Sequence, residues 1–400
     1  MQVRIEPGCA RGTVAAPPSK SMAHRLLLCA ALAEGESIVH GVSESEDMRA
    51  TLDCIRALGA TWTKAGDTVT VQGGVRRTGL PFPCRESGST LRFFIPASLL
   101  PGGTAVFTGT ERLMERGIGV YETVFSEKRI QMQKEAARLT LHGSLPAGTY
   151  TLPGNVSSQF ISGLLFALPL LPGDSTLHVL PPVESRPYLE LTRAAQRQFG
   201  IAAEERAQNC FSIAGGRRYR AAEVSVEGDW SNAAALLALN ALGGDVQVTG
   251  LAPDSLQGDR VCLADLRALE SPGAVLELSS CPDLAPVLFA VAAAKHGARF
   301  TGTRRLRIKE SDRAQAMAQE LKKFKIAVEV EENAVTVFPG TLTAPEEPLD
   351  GHNDHRIVMA LALLCSRTGG VLSGAEAVAK SFPAFFDTLR QLGLEIHDGV

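Results

Sequence analysis

The sequence is poor in the features that mark a specialised environment. Aromatic residues make up only 6% of the 400 residues, and no basic stretch is interleaved with them in the way that would build a nucleic-acid face. No run approaches the roughly 18 apolar residues of a membrane span, and the N-terminal MQVRIEPGCARG lacks the continuous apolar segment of an export signal. Excess charge is missing as well. With 40 basic and 43 acidic residues the formal net charge is -3, so nothing draws the whole chain to nucleic acid or an anionic membrane, and any cationic site must be local. The eight cysteines, at 9, 29, 54, 84, 210, 262, 281 and 365, form no CxxC pair and no dense framework. That speaks against a zinc site or disulfide scaffold and fits a reducing cytoplasm. A GxxxxGK[ST] loop, a GxSxG elbow and a convincing GxGxxG after a strand are all absent, so nucleotide-cofactor chemistry is not indicated.

What is present is a soluble globular composition, 45% hydrophobic and 21% charged, in a chain long enough for two or three domains. One pattern recurs: a short cluster of small or polar residues followed by an apolar run of helical character. It appears as PPSKSMAHRLLL, ESGSTLRFFIPASLL, NVSSQFISGLLFALPLL, GDWSNAAALLALNAL, SSCPDLAPVLFAVAAA and HNDHRIVMALALL. Equivalent points fall at Lys20, Gly88, Ser158, Ser231, Asp283 and Asp354, about 70 residues apart except for one step of about 50, which is too long for a solenoid. Between them lie alternating, β-branched segments such as Thr68 to Gly74 and Ala327 to Gly340. The unit therefore reads as strands plus helices repeated about six times, and three units per domain give two similar α/β domains. The expected seams make one domain discontinuous, residues 1–18 plus 226–400, with residues 19–225 as the other.

Ser, Thr, Asn and Asp before an apolar run are ordinary helix N-caps. Capping does not explain the cations beside them. Lys20 and Arg25 add positive charge where the helix dipole already disfavours it, so several such helix starts aimed at one place predict an anion site. RRLRIKESDRAQAMAQEL, from Arg304 to Leu321, is the densest charged stretch. Helical spacing from Lys309 to Arg313 would put both cations on one side with Glu310 between them, a usual way to tune a proton-transfer group. GHNDHRIVM offers His352, Asp354 and His355, a weak metal signal that the neighbouring Arg356 opposes.

The ordered set SKSMAHR, ESGSTLR, ERLMERGI, NVSSQF, SRPYLELT, EGDWSNAA, PDLAPVL, RIKESDR, NDHRIVM and AKSFP resembles the 5-enolpyruvylshikimate 3-phosphate synthase family over essentially the entire chain. The resemblance implies two similar domains, each of three βαβαββ units with buried parallel helices, an inside-out α/β barrel. It also implies transfer of the carboxyvinyl group of phosphoenolpyruvate to the 5-hydroxyl of shikimate 3-phosphate in an interdomain cleft, by a monomer without metal or other cofactor. Motif by motif, Lys20, Ser21, Arg25, Ser157, Ser158, Gln159, Ser185, Asp283 and Lys309 resemble the shikimate 3-phosphate contacts, with Tyr188 assisting. Lys20, Gly88, Arg116, Gln159, Arg313, Arg356 and Lys380 resemble the phosphoenolpyruvate pocket, and Asp283, Glu310 and Lys20 the catalytic groups. Retention of Gly88 makes inhibition by glyphosate an expectation.

Two positions depart from the family's pattern. Arg305 stands where many relatives have an amide, and Glu86 where many have asparagine beside the Gly88 loop. The related transferases that act on UDP-N-acetylglucosamine typically start with an SKN-like motif and carry a cysteine near the position of Arg116. This chain has SKS, and the closest cysteine before that arginine is Cys84.

Overall fold

The computed structural model describes residues 1–399, which fold as two compact units, one of Lys20–Glu227 and one of Met1–Ser19 with the chain from Gly228 onward. Each has its own hydrophobic core.

In the Lys20–Glu227 unit the repeat is strand, helix, parallel strand, helix and closing antiparallel hairpin. Phe82–Arg85 leads into the Gly88–Ser98 helix and then into Gly103–Gly109, which lies parallel to it, before the Gln131–Lys134 and Arg138–Gly143 hairpin closes the sheet. Thr149–Pro153, the Ser158–Ala167 helix and Ser175–Leu180 repeat this with the hairpin Glu204–Ala207 and Cys210–Ile213. In the first repeat the parallel strand comes from the far end of the unit: Glu223–Ser225 pairs with Ala33–His40, the strand after the Lys20–Leu32 helix.

The other unit is built alike. Val275–Glu277, the Ala285–Ala294 helix and Ala298–Thr301 form one repeat, and Leu349–Asp350, the His355–Thr368 helix and Gly370–Ser373 form a second, whose closing hairpin is completed by the N-terminal strand Gln2–Ile5. The third pairs Arg11–Ala15 with Asp245–Thr249 around the Trp230–Ala241 helix and stops at two strands. The missing hairpin accounts for the one short step between helix starts, from Ser231 to Asp283.

The repeated helices are buried almost all round. Every residue of Lys20–Leu32 from Met22 onward is buried, as are nine of the ten residues of Ala285–Ala294. A helix apolar on all sides belongs inside its domain, so the sheets form the outer layer. Among the described residues no helix is long and apolar enough to cross a membrane.

Candidate active site

In the unit from Gly228 onward, the site is organised by one guanidinium. Arg313 opens its helix after the N-cap Asp312, and its side chain is 1% exposed. One Nη donates to Asp283 at 2.6 Å, the other to Glu310 at 2.8 Å, and Nε donates to Asp354 at 2.8 Å. Lys309 Nζ donates to the same Asp283 oxygen at 3.0 Å. Burial alone would raise the Asp283 carboxyl, but Lys309, Arg313 and Arg356 outweigh it and hold the group well below the usual carboxylate range. Burial also lowers the Lys309 ammonium, with Asp283 opposing that shift. Burial would weaken Arg313 as a base, yet Asp354, Glu310 and Asp283 raise it well above its ordinary value.

Asp354 ties this cluster to the next helix. It caps His355–Thr368 by accepting from the Arg356 backbone N–H at 2.9 Å. The Arg356 guanidinium is buried and donates to Asn232 Oδ1 at 3.0 Å, at the start of the Trp230–Ala241 helix. Lys380 donates to the Asn353 carbonyl at 2.5 Å.

In the Lys20–Glu227 unit, Lys20 pairs with Asp47 at 2.9 Å, both side chains largely buried. Arg25 is buried in its helix, donates to Thr192 Oγ1 and to the carbonyls of Ser21 and Tyr188, and lies over the Phe93 ring. Burial pushes it down to about 10, still fully charged at neutral pH. Ser157 caps the Ser158 helix by accepting from the Gln159 N–H at 3.3 Å. The Gln159 amide accepts from Arg92 and donates to Ser89 at 2.9 Å. Ser185 precedes the Arg186–Gln198 helix in a left-handed conformation, φ 55°.

Gly88 lies close against two guanidinium groups. A Cβ there would lie 3.0 Å from Arg92 Nη1 and 3.2 Å from Arg116 Nη2, so a larger residue would push both guanidinium groups back from the start of the helix.

Residues 6–389 match the family model described as EPSP synthase (3-phosphoshikimate 1-carboxyvinyltransferase). The chain belongs to the EPSP synthase family. The 3-phosphoshikimate 1-carboxyvinyltransferase of Clostridium kluyveri is 38% identical over 99% of this chain and 98% of its own length. That of Clostridium acetobutylicum is 39% identical with the same coverage. The EPSP synthase structure from Acinetobacter baumannii matches with a TM-score of 0.80 over 99% of this chain and 100% of its own, at 24% identity, which establishes the shared fold.

For this EPSP synthase family member the route from Lys309 to Arg313 differs from the expectation. Arg304–Ile308 is a 3-10 helix, Lys309 is extended, and the helix begins only at Arg313. The two cations meet at Asp283 because the intervening loop turns back, not because of helical spacing. The helix after Asp283 starts only at Ala285, with Leu284 at its N-cap position. His352 bonds to Glu320 rather than joining His355. Arg305 is buried and donates to the Ser279 carbonyl at 2.7 Å. The Glu86 backbone carbonyl accepts from Arg116 at 3.4 Å.

Two residues of these clusters, Arg92 and Asn232, are not singled out by the sequence. Both stand in quoted motifs, within helix starts, whereas Asp354 is the helix cap that its place before the apolar run suggests. A buried arginine or carboxylate in an apolar helix needs a partner, and that was the signal available.

Proposed function

We propose that this chain transfers the carboxyvinyl group of phosphoenolpyruvate to the 5-hydroxyl of shikimate 3-phosphate, releasing phosphate, in the shikimate pathway to chorismate and the aromatic amino acids. The observation that carries the mechanism is that Asp283 and Glu310 are held on the two Nη atoms of one buried guanidinium. Two fixed carboxylates with different partners suit two different proton tasks.

The 5-hydroxyl oxygen attacks C2 of phosphoenolpyruvate while a proton is delivered to C3, giving a tetrahedral ketal phosphate. The C2–O bond to phosphate then breaks, C3 gives back a proton, and the double bond returns. Asp283, kept ionised by its cations, accepts the hydroxyl's hydrogen bond and takes its proton as the C–O bond forms, and that proton departs with the released phosphate. Glu310 serves the methylene carbon. Lys309 and Lys20 stabilise the charge that develops on the substrates and on the ketal phosphate.

The anionic ends fall to the cations and hydroxyls. Lys20, Ser21, Arg25, Ser157, Ser158, Gln159 and Ser185 hold shikimate 3-phosphate, with Tyr188 assisting. Gly88, Arg116, Arg313, Arg356 and Lys380 hold phosphoenolpyruvate, whose carboxylate and phosphate suit guanidinium forks. The active form in this reading is a monomer. Glyphosate, which carries a phosphonate and a carboxylate, competes with phosphoenolpyruvate for the same cations.

Running the reaction in D2O tests the addition and elimination steps. Protonation at C3 makes a transient methyl group, so the product's methylene should acquire deuterium. A product formed with its methylene free of deuterium would rule out this route.

A further inference from the structure

Glu320 lies on the Arg313–Lys323 helix, two turns beyond Arg313, and its side chain is 2% exposed. A carboxylate so deeply buried is retained only where its oxygens are occupied. One oxygen accepts from Lys323 Nζ at 2.8 Å and from the Asp350 backbone N–H at 2.9 Å; the other accepts from His352 Nε2 at 3.1 Å. Two of these donors belong to the segment between Asp350 and Asp354, whose far end is held by Arg313. The same helix therefore grips that segment at both ends.

Between the two grips, His352 and Asn353 have φ of 48° and 50°. Two successive non-glycine residues in the left-handed region are costly and persist only where the surroundings impose them. The outcome of this conformation is functional in position: the Asn353 carbonyl accepts from Lys380, and Asp354 caps the helix that carries Arg356.

We propose that Glu320 is a positioning residue that, through His352, fixes the strained 352–353 turn and so sets the hold of Lys380 on phosphoenolpyruvate. The inference rests on the assignment of Lys380 to that substrate. The imidazole of His352 is faced by Glu320 and Lys323 from the helix and by Asp350 from its own segment. Its bond to Glu320 raises its proton affinity above the ordinary value, against the opposing effect of burial. A raised histidine keeps its full contribution below about pH 6.5 and loses it as pH rises through the folded value. The charged form of the His352–Glu320 bond therefore weakens on going alkaline.

The test measures KM for each substrate and kcat between pH 6 and 8.5 in the wild type, Glu320→Gln and His352→Gln. Glu320→Gln should raise KM for phosphoenolpyruvate about fivefold or more at pH 6.5 while KM for shikimate 3-phosphate and kcat change less than about twofold. His352→Gln keeps a donor toward Glu320 but cannot titrate. Its KM for phosphoenolpyruvate should stay within about twofold of the wild type at pH 6.5 and lack the rise that the wild type shows toward pH 8.5. A Glu320→Gln enzyme with unaltered KM, or one that loses both substrates equally, overturns the inference. So does a His352→Gln enzyme that follows the wild-type pH profile, a result obtainable even if Glu320→Gln fails to fold. A wild type without transferase activity defeats the functional reading instead, so the two failures are distinguishable.

Discussion

Arg313 and Asp354 form a fully buried ion pair, Nε to Oδ2 at 2.8 Å with side chains 1% and 0% exposed. Asp354 also accepts from Ser311 at 3.1 Å and from the Arg356 N–H. One carboxylate thus holds the Arg313 side chain and the Arg356 backbone, two of the three arginines assigned to phosphoenolpyruvate. Removing one partner of a buried pair leaves the other charge uncompensated, at a cost of about 3–5 kcal/mol. Asp354→Ala should lower unfolding free energy by about that amount in urea titrations at pH 7. A change below about 1 kcal/mol would mean that the pair is dispensable.

Glu310→Gln should leave ligand binding largely intact while lowering kcat at least about a hundredfold, the usual worth of a proton-transfer group. The amide can still meet Arg313 through its oxygen, so the charge and not the contact is what changes. Steady-state kinetics with a calorimetric binding control decides, and near-normal turnover would refute the role.

Lys20→Ala removes a charge whose partner in this unit is Asp47. Use of both substrates should fall, seen as a drop of at least about a hundredfold in kcat/KM for each, with an unfolding midpoint shifted only slightly. A loss of stability with normal kinetics would make Lys20 a structural residue.

Gly88→Ala places a methyl 3.0–3.2 Å from Arg92 and Arg116. The guanidinium groups must retreat by a few tenths of an ångström. KM for phosphoenolpyruvate should rise roughly tenfold with KM for shikimate 3-phosphate nearly unchanged. Equal effects on both substrates would contradict the assignment.

Asp265 tests the electrostatics outside the site. Burial pushes its carboxyl up to about 6, and its Oδ2 is buried without a partner among the described residues. Because the folded value lies above the unfolded one, the ionised form destabilises the fold above about pH 6, and stability returns as pH falls toward 4. Asp265→Asn should raise the melting temperature by a few degrees at pH 8, and the gain should vanish near pH 4. A pH-independent effect would place the cause in packing.

The repeat was legible because buried helices write themselves as apolar runs, and because the small polar clusters before them sit where chains turn. Most of the residues proposed for the site stand at those helix starts, although their roles follow from the family resemblance and not from the repeat. The strand exchange was not. Arg11–Ala15 precedes the Lys20 helix in sequence yet pairs with Asp245–Thr249, and no periodicity records which strand a helix returns beside. The loop path from Lys309 to Arg313 was misread because charged residues at helical spacing look alike whether or not a helix joins them. Glu320 carried no signal at all: a glutamate before Leu321 on an amphipathic helix reads as exposed until His352 is found against it.

Everything proposed for the site requires that this chain join two anionic substrates and expel phosphate. Phosphate release followed with a coupled assay tests it most directly, with both phosphoenolpyruvate and shikimate 3-phosphate present and with each omitted in turn. Phosphate should appear only in the complete mixture, one for each carboxyvinyl group transferred. Release from phosphoenolpyruvate alone, or no release from the complete mixture by a folded protein that binds either ligand, would contradict it.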